Sequence, residues 1–339
     1  MSFSHLDYCQ YLLTSPKNYT LTNLAKHQLT VSHDTINKFL RETEISSAII
    51  WENVRPSLKE DGEASLVFDD TVLDKRFSNK IELVRKQYSG NEHRVIKGIG
   101  VISCLYVNQN TGEFWVIDYR LYNPDEDGKT KLNHLEEMLL DAVNEKEFPF
   151  ARVLMDSWYA SQKIMALIDN LGKKYYCPLK INRLVDDSLG TEKYKRIDQL
   201  VWNNSEIERG KTIKINKFPP DHKVKLFRVT ISPNRTEYIA TNERVDNSTQ
   251  EIKDICSNRW KIEEFHREIK QITGIESCQC RKAIIQKNHI ACAFLVWNHL
   301  KRLATITAKT VYELKNEWFS VHLTQELKSP SIPMKLVRV

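Results

Sequence analysis

The stretch "SLVFDDT", residues 65–71, is an apolar run that ends in two aspartates. Apolar side chains at consecutive positions predict a strand buried on both faces, as at the centre of a sheet. "ARVLMDSW" (151–158) repeats the pattern with a single acid, Asp156. A carboxylate near a buried strand end is costly unless a cation or hydrogen bonds compensate it. In open α/β sheets the carboxyl ends of strands are also where ligands collect. Each Asp could simply cap the turn that follows. Two or three converging at such ends suit a hard divalent cation, Mg²⁺ or Mn²⁺.

Working outward, "RVIKGIGVISCLYVN" and "EFWVIDYRLY", separated by "QNTG", predict a hairpin after the first strand. A helix is expected from about Leu132 to Lys146, with Leu132, Leu135, Leu139 and Ala142 on one side. Ile164, Leu167, Ile168 and Leu171 mark another, stopping near Gly172, and "KYYCPLKIN" supplies a fifth strand. The order β-β-β-α-β-α-β is that of an RNase H-like mixed sheet flanked by helices. From about Arg183 to Asn247 the segments "KTIKINKF", "KVKLFRVTIS" and "TEYIATNE" predict a β-rich insertion. Ser248 and Glu251 then form a capping box that opens one long helix to about Thr273, with Gly274 as its stop. A nearly all-apolar core helix is expected over about Lys282 to Ala304.

Upstream, residues 19–42 read as two short helices joined by a tight turn of about one residue, the second capped by Ser32. Its outward positions His33, Asp34, Asn37, Lys38 and Arg41 are types that read base edges or phosphates. The expected organisation is a small all-α, helix-turn-helix-like DNA-binding domain (1–55), a catalytic domain (60–310) with its insertion at 183–247, and a short basic C-terminal segment (311–339). An ordinary helical hairpin is the competing reading of the first part.

The predicted long helix contains "RWKIEEFHREIK" (259–270), with three glutamates. At about 100° per residue, Arg259, Glu263, His266 and Lys270 share one narrow stripe. Ile262, Phe265, Ile269 and Ile272 form the apolar stripe beside it, while Glu264 and Glu268 point toward water. Helical phase therefore nominates Glu263, although a core-edge ion pair worth a few tenths of a kcal/mol accounts for the same pattern.

Arg259-x3-Glu263-x6-Lys270 resembles the Tyr-x2-Arg-x3-Glu-x6-Lys signature around the third acidic residue of DDE-class insertion-sequence transposases. "DDT" (69–71) and "LMDSWY" (154–159) resemble that family's first two acidic motifs, in order, over roughly residues 60–305. The resemblance implies an Asp-Asp-Glu triad of Asp70, Asp156 and Glu263, holding Mg²⁺ or Mn²⁺ as two ions. Asp70 is favoured over Asp69 because the family's first Asp directly precedes Thr, whereas the apolar run leading into the acids favours Asp69. It further implies cleavage at transposon ends and strand transfer into target DNA, with Arg259, His266 and Lys270 on phosphates near the scissile bond. The implied partner is double-stranded DNA, both terminal inverted repeats and target, held by a homodimer. Cys256 stands where the family has tyrosine and cannot give a phenolic contact to phosphate. The alternatives are a non-catalytic DNA-binding descendant and a metal-dependent nuclease without joining activity.

The bulk properties agree without deciding. A net charge of +6 over 339 residues fits a polyanion partner and equally an ordinary enzyme, although from Arg281 onward ten Lys or Arg face three Glu. Seven cysteines and no apolar leader predict reduced thiols and a cytoplasmic protein of a prokaryote, nucleoid-associated when bound to DNA; no membrane span is expected. Cys278, Cys280, His289 and Cys292 match no common zinc spacing. "NPDEDG" (123–128) lacks a calcium loop's closing Glu, with His134 in that place. Trp202 is a candidate for stacking on a flipped base, with a buried structural role as the competing reading.

Overall fold

The computed structural model describes residues 3–331 apart from residues 17, 29, 91, 189, 192, 220, 221, 245 and 246, so the last eight residues of the predicted basic C-terminal segment lie outside the described residues. The chain divides into two compact units. One comprises Met1–Ser46, Lys80–Glu82 and Arg267–Val339, and the other Ser47–Asn79 and Leu83–His266.

The first unit opens with α1 (His5–Thr14), α2 (Leu21–His27) and α3 (His33–Glu42). Ser32 caps α3 as expected, accepting the Thr35 N–H. The connection from α2 to α3 runs over residues 28–32 and is longer than the predicted one-residue turn, because α2 ends at His27 with Gln28 as its cap.

The second unit begins with α4 (Ala48–Val54) and then builds an eleven-stranded sheet. Its strands are β1 (Ser65–Asp74), β2 (Arg85–Ser89), β3 (Arg94–Val107) and β4 (Phe114–Tyr122). After the short α5 (Pro124–Asp127) and then α6 (Lys131–Asn144) comes β5 (Arg152–Met155); α7 (Gln162–Asn170) leads to β6 (Lys174–Leu179). The strands β7 (Leu184–Asp186), β8 (Lys195–Arg196), β9 (Lys211–Ile215), β10 (Lys223–Ser232) and β11 (Arg235–Thr241) follow, with α8 (Asn204–Arg209) before β9. The sheet order is β2-β3-β1-β5-β6-β11-β10-β9-β7-β8, with β4 also pairing β3. The edge strand β2 carried no sequence signal strong enough to be expected. The region 183–247 contributes β7 to β11, and β11 pairs antiparallel with β6 (Tyr238 opposite Leu179), so these strands extend the same sheet.

β1, β5 and β6 run parallel, with Phe68 opposite Met155 and Leu154 opposite Tyr176. Side chains alternate across a strand. Leu66, Phe68, Val153 and Met155 belong to the apolar core that includes Leu135 and Met138 of α6 and Ile164 and Ile168 of α7. Val67 and Leu154, equally buried, take the opposite face. Both strands are therefore covered on both sides, as their unbroken apolar runs require. Gly98 of β3 lies against β1 so closely that a Cβ would meet the Leu73 carbonyl oxygen at 2.4 Å, which only glycine permits.

The predicted single helix from Ser248 to Thr273 is two helices, α9 (Thr249–Ser257) and α10 (Trp260–Ile272). The capping box of Ser248 and Glu251 is present. At the junction the N–H groups of Asn258, Arg259, Lys261 and Ile262 bond three residues back instead of four. That tighter winding, about three residues per turn, shifts Cys256 out of the helical phase assumed for it.

α10 is followed by Gly274 in the left-handed region (φ 66°), as predicted, then α11 (Ala283–Thr307) and α12 (Val311–Lys328). The region read as a short basic segment thus contains an eighteen-residue helix. Within the first unit α11 buries Asn288 and His289 with their hydrogen bonds made: Asn288 serves Leu40, Thr43 and Ile45, and His289 meets Tyr8 and the Gly274 carbonyl. Both ring nitrogens of His289 are thus engaged in hydrogen bonds within this unit. Among the described residues no helix is long and apolar enough to cross a membrane.

Candidate active site

The carboxyl ends of β1 and β5 lie side by side because the two strands are parallel neighbours. Continuing the register by one residue brings Asp69 beside Asp156, both on the sheet face shared with Val67 and Leu154. Asp70 follows Phe68 onto the other face, toward α6.

The three carboxyl groups have different surroundings. Burial pushes Asp69 well above the usual carboxylate range, and its neighbours Asp70 and Asp156 push it further; the Asp70 N–H and Arg259 only partly oppose this. Burial also raises Asp156, offset by two N–H donors, Trp158 at 2.8 Å and Tyr159 at 3.2 Å. Asp70 raises Asp156 and Arg259 lowers it. Asp70 itself accepts the Tyr159 hydroxyl at 2.7 Å and an ion pair from Lys131 at the start of α6. Lys131 also lies over the Tyr122 and Trp158 rings. Among the described residues Asp69 and Asp156 have no comparable fixed cation.

Arg259 sits at the junction of α9 and α10, and both oxygens of Glu237 on β11 accept from it at 3.3 Å. Its positive charge is felt at Asp69, Asp156 and Glu263 alike. Glu263 stands in the first turn of α10 with its side chain exposed. Partial burial of the carboxyl pushes it up, and Arg259 and Arg235 draw it down.

The structure brings Asp69, Asp70 and Asp156 together. Glu263 is joined to them electrostatically, through Arg259. His266, expected on the DNA-facing stripe, is instead buried beside Phe265, because the face adjoining the apolar stripe is covered. Glu268, expected to face water, is also buried and accepts the Trp297 indole N–H at 2.9 Å; the all-apolar helix α11 brings a tryptophan that needs an acceptor. Lys270 is ion-paired with Glu276 at 3.4 Å. Cys256 is a mostly buried thiol whose pKa burial pushes up to about 12, so it packs as a neutral side chain. On α3, His33, Lys38 and Arg41 are exposed and Asn37 is half-buried, while Ile36 and Leu40 are buried. Trp202 packs against the core with the Lys211 ammonium 5.0 Å from its ring centroid, which is the structural role.

Lys131, Tyr159, Arg235 and Glu237 escaped the sequence reading. Tyr159 lies inside the quoted "LMDSWY" and was within reach; Lys131 and Glu237 are distant in sequence and carry no motif.

Two half-buried aspartates with raised affinities for protons form a local surplus of negative charge, and their oxygen donors suit a hard divalent cation. Among the described residues no three His, Cys, Asp or Glu side chains are gathered closely enough to hold an ion. Neither Asp70 nor Glu263 therefore completes a three-ligand cage with Asp69 and Asp156.

No curated protein matches the chain. Among solved structures it is similar to a piggyBac transposase in a synaptic complex with hairpin DNA, at 9% identity and TM-score 0.48, over 97% of this chain and 73% of that one. Endonuclease V of Ciona intestinalis, in complex with inosine-containing DNA, is similar at 12% identity and TM-score 0.29, over 70% of this chain and 99% of the other. A Mos1 pre-cleavage transpososome is similar at 15% identity and TM-score 0.20, over 52% and 59%. The sequence profile of the transposase DDE domain matches residues 64–299, a span that contains all the acidic residues described above, and because that span is more than half of the chain, the protein belongs to the DDE-domain transposase family.

Proposed function

We propose that the protein cleaves DNA at transposon ends and joins the freed 3′ ends to target DNA, in a divalent-metal-dependent phosphoryl transfer. The observation that carries this reading is the pair of adjacent, half-buried carboxyl groups, Asp69 and Asp156, at the ends of parallel strands, with no fixed cation among the described residues. Family membership supports the reaction class.

Asp156 and Glu263 are two of the metal-holding acids. For the first acid, sheet alternation favours Asp69 over the Asp70 that the Thr71 spacing indicated. Asp69 shares its face with Asp156, whereas Asp70 is already engaged by Lys131 and Tyr159. Bound divalent cations would supply activation of a water or 3′-hydroxyl and stabilisation of the leaving 3′ oxygen. The chain's own part is to hold charge in place. The N–H groups of Trp158 and Tyr159 orient the Asp156 carboxylate, and the Lys131–Asp70–Tyr159 cluster steadies the β1 end beside it. Arg259, now on Glu237, is positioned to exchange that partner for a phosphate near the scissile bond, with Lys270 as a further phosphate contact. Glu263, on a separate helix, would complete the acid set when α10 and the strand ends close on the substrate.

An RNase H-like catalytic core with its β-rich extension, an N-terminal helix-turn-helix with His33, Asn37, Lys38 and Arg41 on DNA, and a homodimer holding two inverted-repeat ends follow as parts of the same reading. The test is cleavage and joining of duplex DNA carrying the element's ends, with Mg²⁺ or with chelator. Cleavage and strand-transfer products from the wild type, and neither from Glu263→Gln, are expected. Unchanged cleavage by Glu263→Gln would falsify the acid set. Cleavage without joining would favour a nuclease, and tight DNA binding without any cleavage a non-catalytic binding protein.

A further inference from the structure

α1 and α11 pack against each other within the first unit, and two cysteines meet between them, Cys9 and Cys292. The Cys9 Sγ lies 3.9 Å from the Cys292 carbonyl oxygen, and the two thiols also share a hydrogen bond. Tyr8, one residue before Cys9, is bonded through its hydroxyl to His289 Nδ1 at 2.9 Å. His289 stands three residues before Cys292 and so shares its helical face. That buried bond fixes the register of the two helices where the thiols meet.

Two features set the pair apart from ordinary buried thiols. All seven cysteines are free, yet Cys9 is half-buried between exposed Leu6 and Gln10, whereas Cys292 is fully buried. One sulfur is therefore open to a small solute while the other is kept dry behind it. The Cys292 thiol, as hydrogen-bond donor, also draws the Cys9 thiol below its ordinary range against the effect of burial. That same bond, and then burial, pushes Cys292 well above its own range. At Cys104, Cys177 and Cys256 burial instead pushes the thiol up. The thiolate is the nucleophile in sulfur chemistry, which makes Cys9 the attacking group and Cys292 the resolving one.

We propose that Cys9 and Cys292 form a redox-sensitive pair, which hydrogen peroxide converts to a disulfide that clips α1 to α11. The Cys9 sulfur attacks one peroxide oxygen, the O–O bond breaks, and the other oxygen leaves as water, giving a sulfenic acid. The Cys292 sulfur then attacks the Cys9 sulfur and expels its oxygen, which departs as a second water with the Cys292 proton. The two thiols lose two electrons and the peroxide gains them. The sulfur atoms have only to close from hydrogen-bonding contact to a bond of about 2.05 Å. The pair is 283 residues apart in the chain, and a cross-link over so long a loop constrains the unfolded state strongly.

The test treats the reduced full chain with hydrogen peroxide under native conditions, alkylates the remaining thiols, and maps tryptic peptides by mass spectrometry. The expected product joins the peptide carrying Cys9 to the one carrying Cys292, and dithiothreitol reverses it. The oxidised chain should unfold at a higher urea concentration than the reduced one. Cys9→Ser, at a half-exposed position, should lose both the link and the rise in midpoint. Cys280→Ser, at another half-buried thiol of the same unit, should keep both. A different pairing, a link between two copies, Cys9 oxidised without any link, or a chain left fully reduced overturns the proposal. A link that forms without raising the midpoint was trapped outside the native packing and overturns it too. The measurement needs neither DNA nor metal, so its outcome is separate from that of the transposase reading.

Discussion

Asp118 on β4 and the Asp69–Asp156 pair are the same residue type in the same sheet, Asp118 buried and the pair half-buried. Asp118 is 4% exposed, yet Arg120 and Lys146 both pair with it, Arg120 reaches on to Asp141, and the Tyr119 N–H adds a further donor. Among the described residues the one cation whose charge lowers both Asp69 and Asp156 is the more distant Arg259, and burial leaves both carboxyl groups above their ordinary range despite the two N–H groups on Asp156. Burial alone does not make a site. A buried acid with its cations built in is architecture; one whose compensation is missing is prepared for a charge that arrives from outside.

The largest effects should come from breaking the uncompensated side. Asp69→Asn is expected to lower Mg²⁺-dependent cleavage by roughly 10²–10³, as for loss of a preorganised charge-stabilising group. Asp70→Asn should cost only about 10- to 100-fold, as for an outer-shell partner. Rates measured in parallel decide it, and a reversed order would return the first acid to Asp70.

Breaking the compensated side should cost stability instead. Asp118→Ala leaves Arg120 and Lys146 without their buried partner and should destabilise the fold by about 3–5 kcal/mol. Urea denaturation reads this, and cleavage per folded molecule should be retained at low temperature. A loss of activity without a loss of stability would erase the distinction drawn between the two regions.

Lys315 lies between these extremes and should give the smallest effect. It is 7% exposed and donates to the carbonyls of Leu12 and Leu13 at 2.7 and 2.6 Å, with no carboxylate paired to it among the described residues. Burial lowers its pKa to about 8. The unfolded chain keeps this proton up to about 10.4. Between those values the unfolded state binds more protons, so stability should rise as pH increases from 8 toward 10.4 and be insensitive to this group below 8. Urea midpoints across that range should show the rise in the wild type and lack it in Lys315→Met.

Much of this was legible in the chain itself. The apolar runs ending at Asp69 and Asp156 could only be central strands, since no one-sided strand tolerates apolar residues on both faces. Parallel neighbours with right-handed helical crossovers then bring their carboxyl ends together. The caps at Ser32 and Ser248 and the stop at Gly274 were equally readable, because capping is a local hydrogen-bond problem.

Where the reading failed, the deciding contact came from elsewhere in the chain. Helical phase sent Glu268 to water and His266 to DNA, but phase knows only its own helix; α11 covers Glu268 with Trp297. Three-residue winding at Asn258 and Arg259 broke a helix that periodicity drew as continuous.

The sequence by itself determined which strands are buried and where their acids fall, a consequence of the two-residue periodicity of a strand. Only the tertiary structure gave the adjacent aspartates different surroundings: Asp70 has Lys131 and Tyr159, Asp69 lies beside Asp156, and Trp158 stands at the mouth of a cationic cavity. Compensation of charge is a property of neighbours in space, and these neighbours lie up to 89 residues apart in the chain.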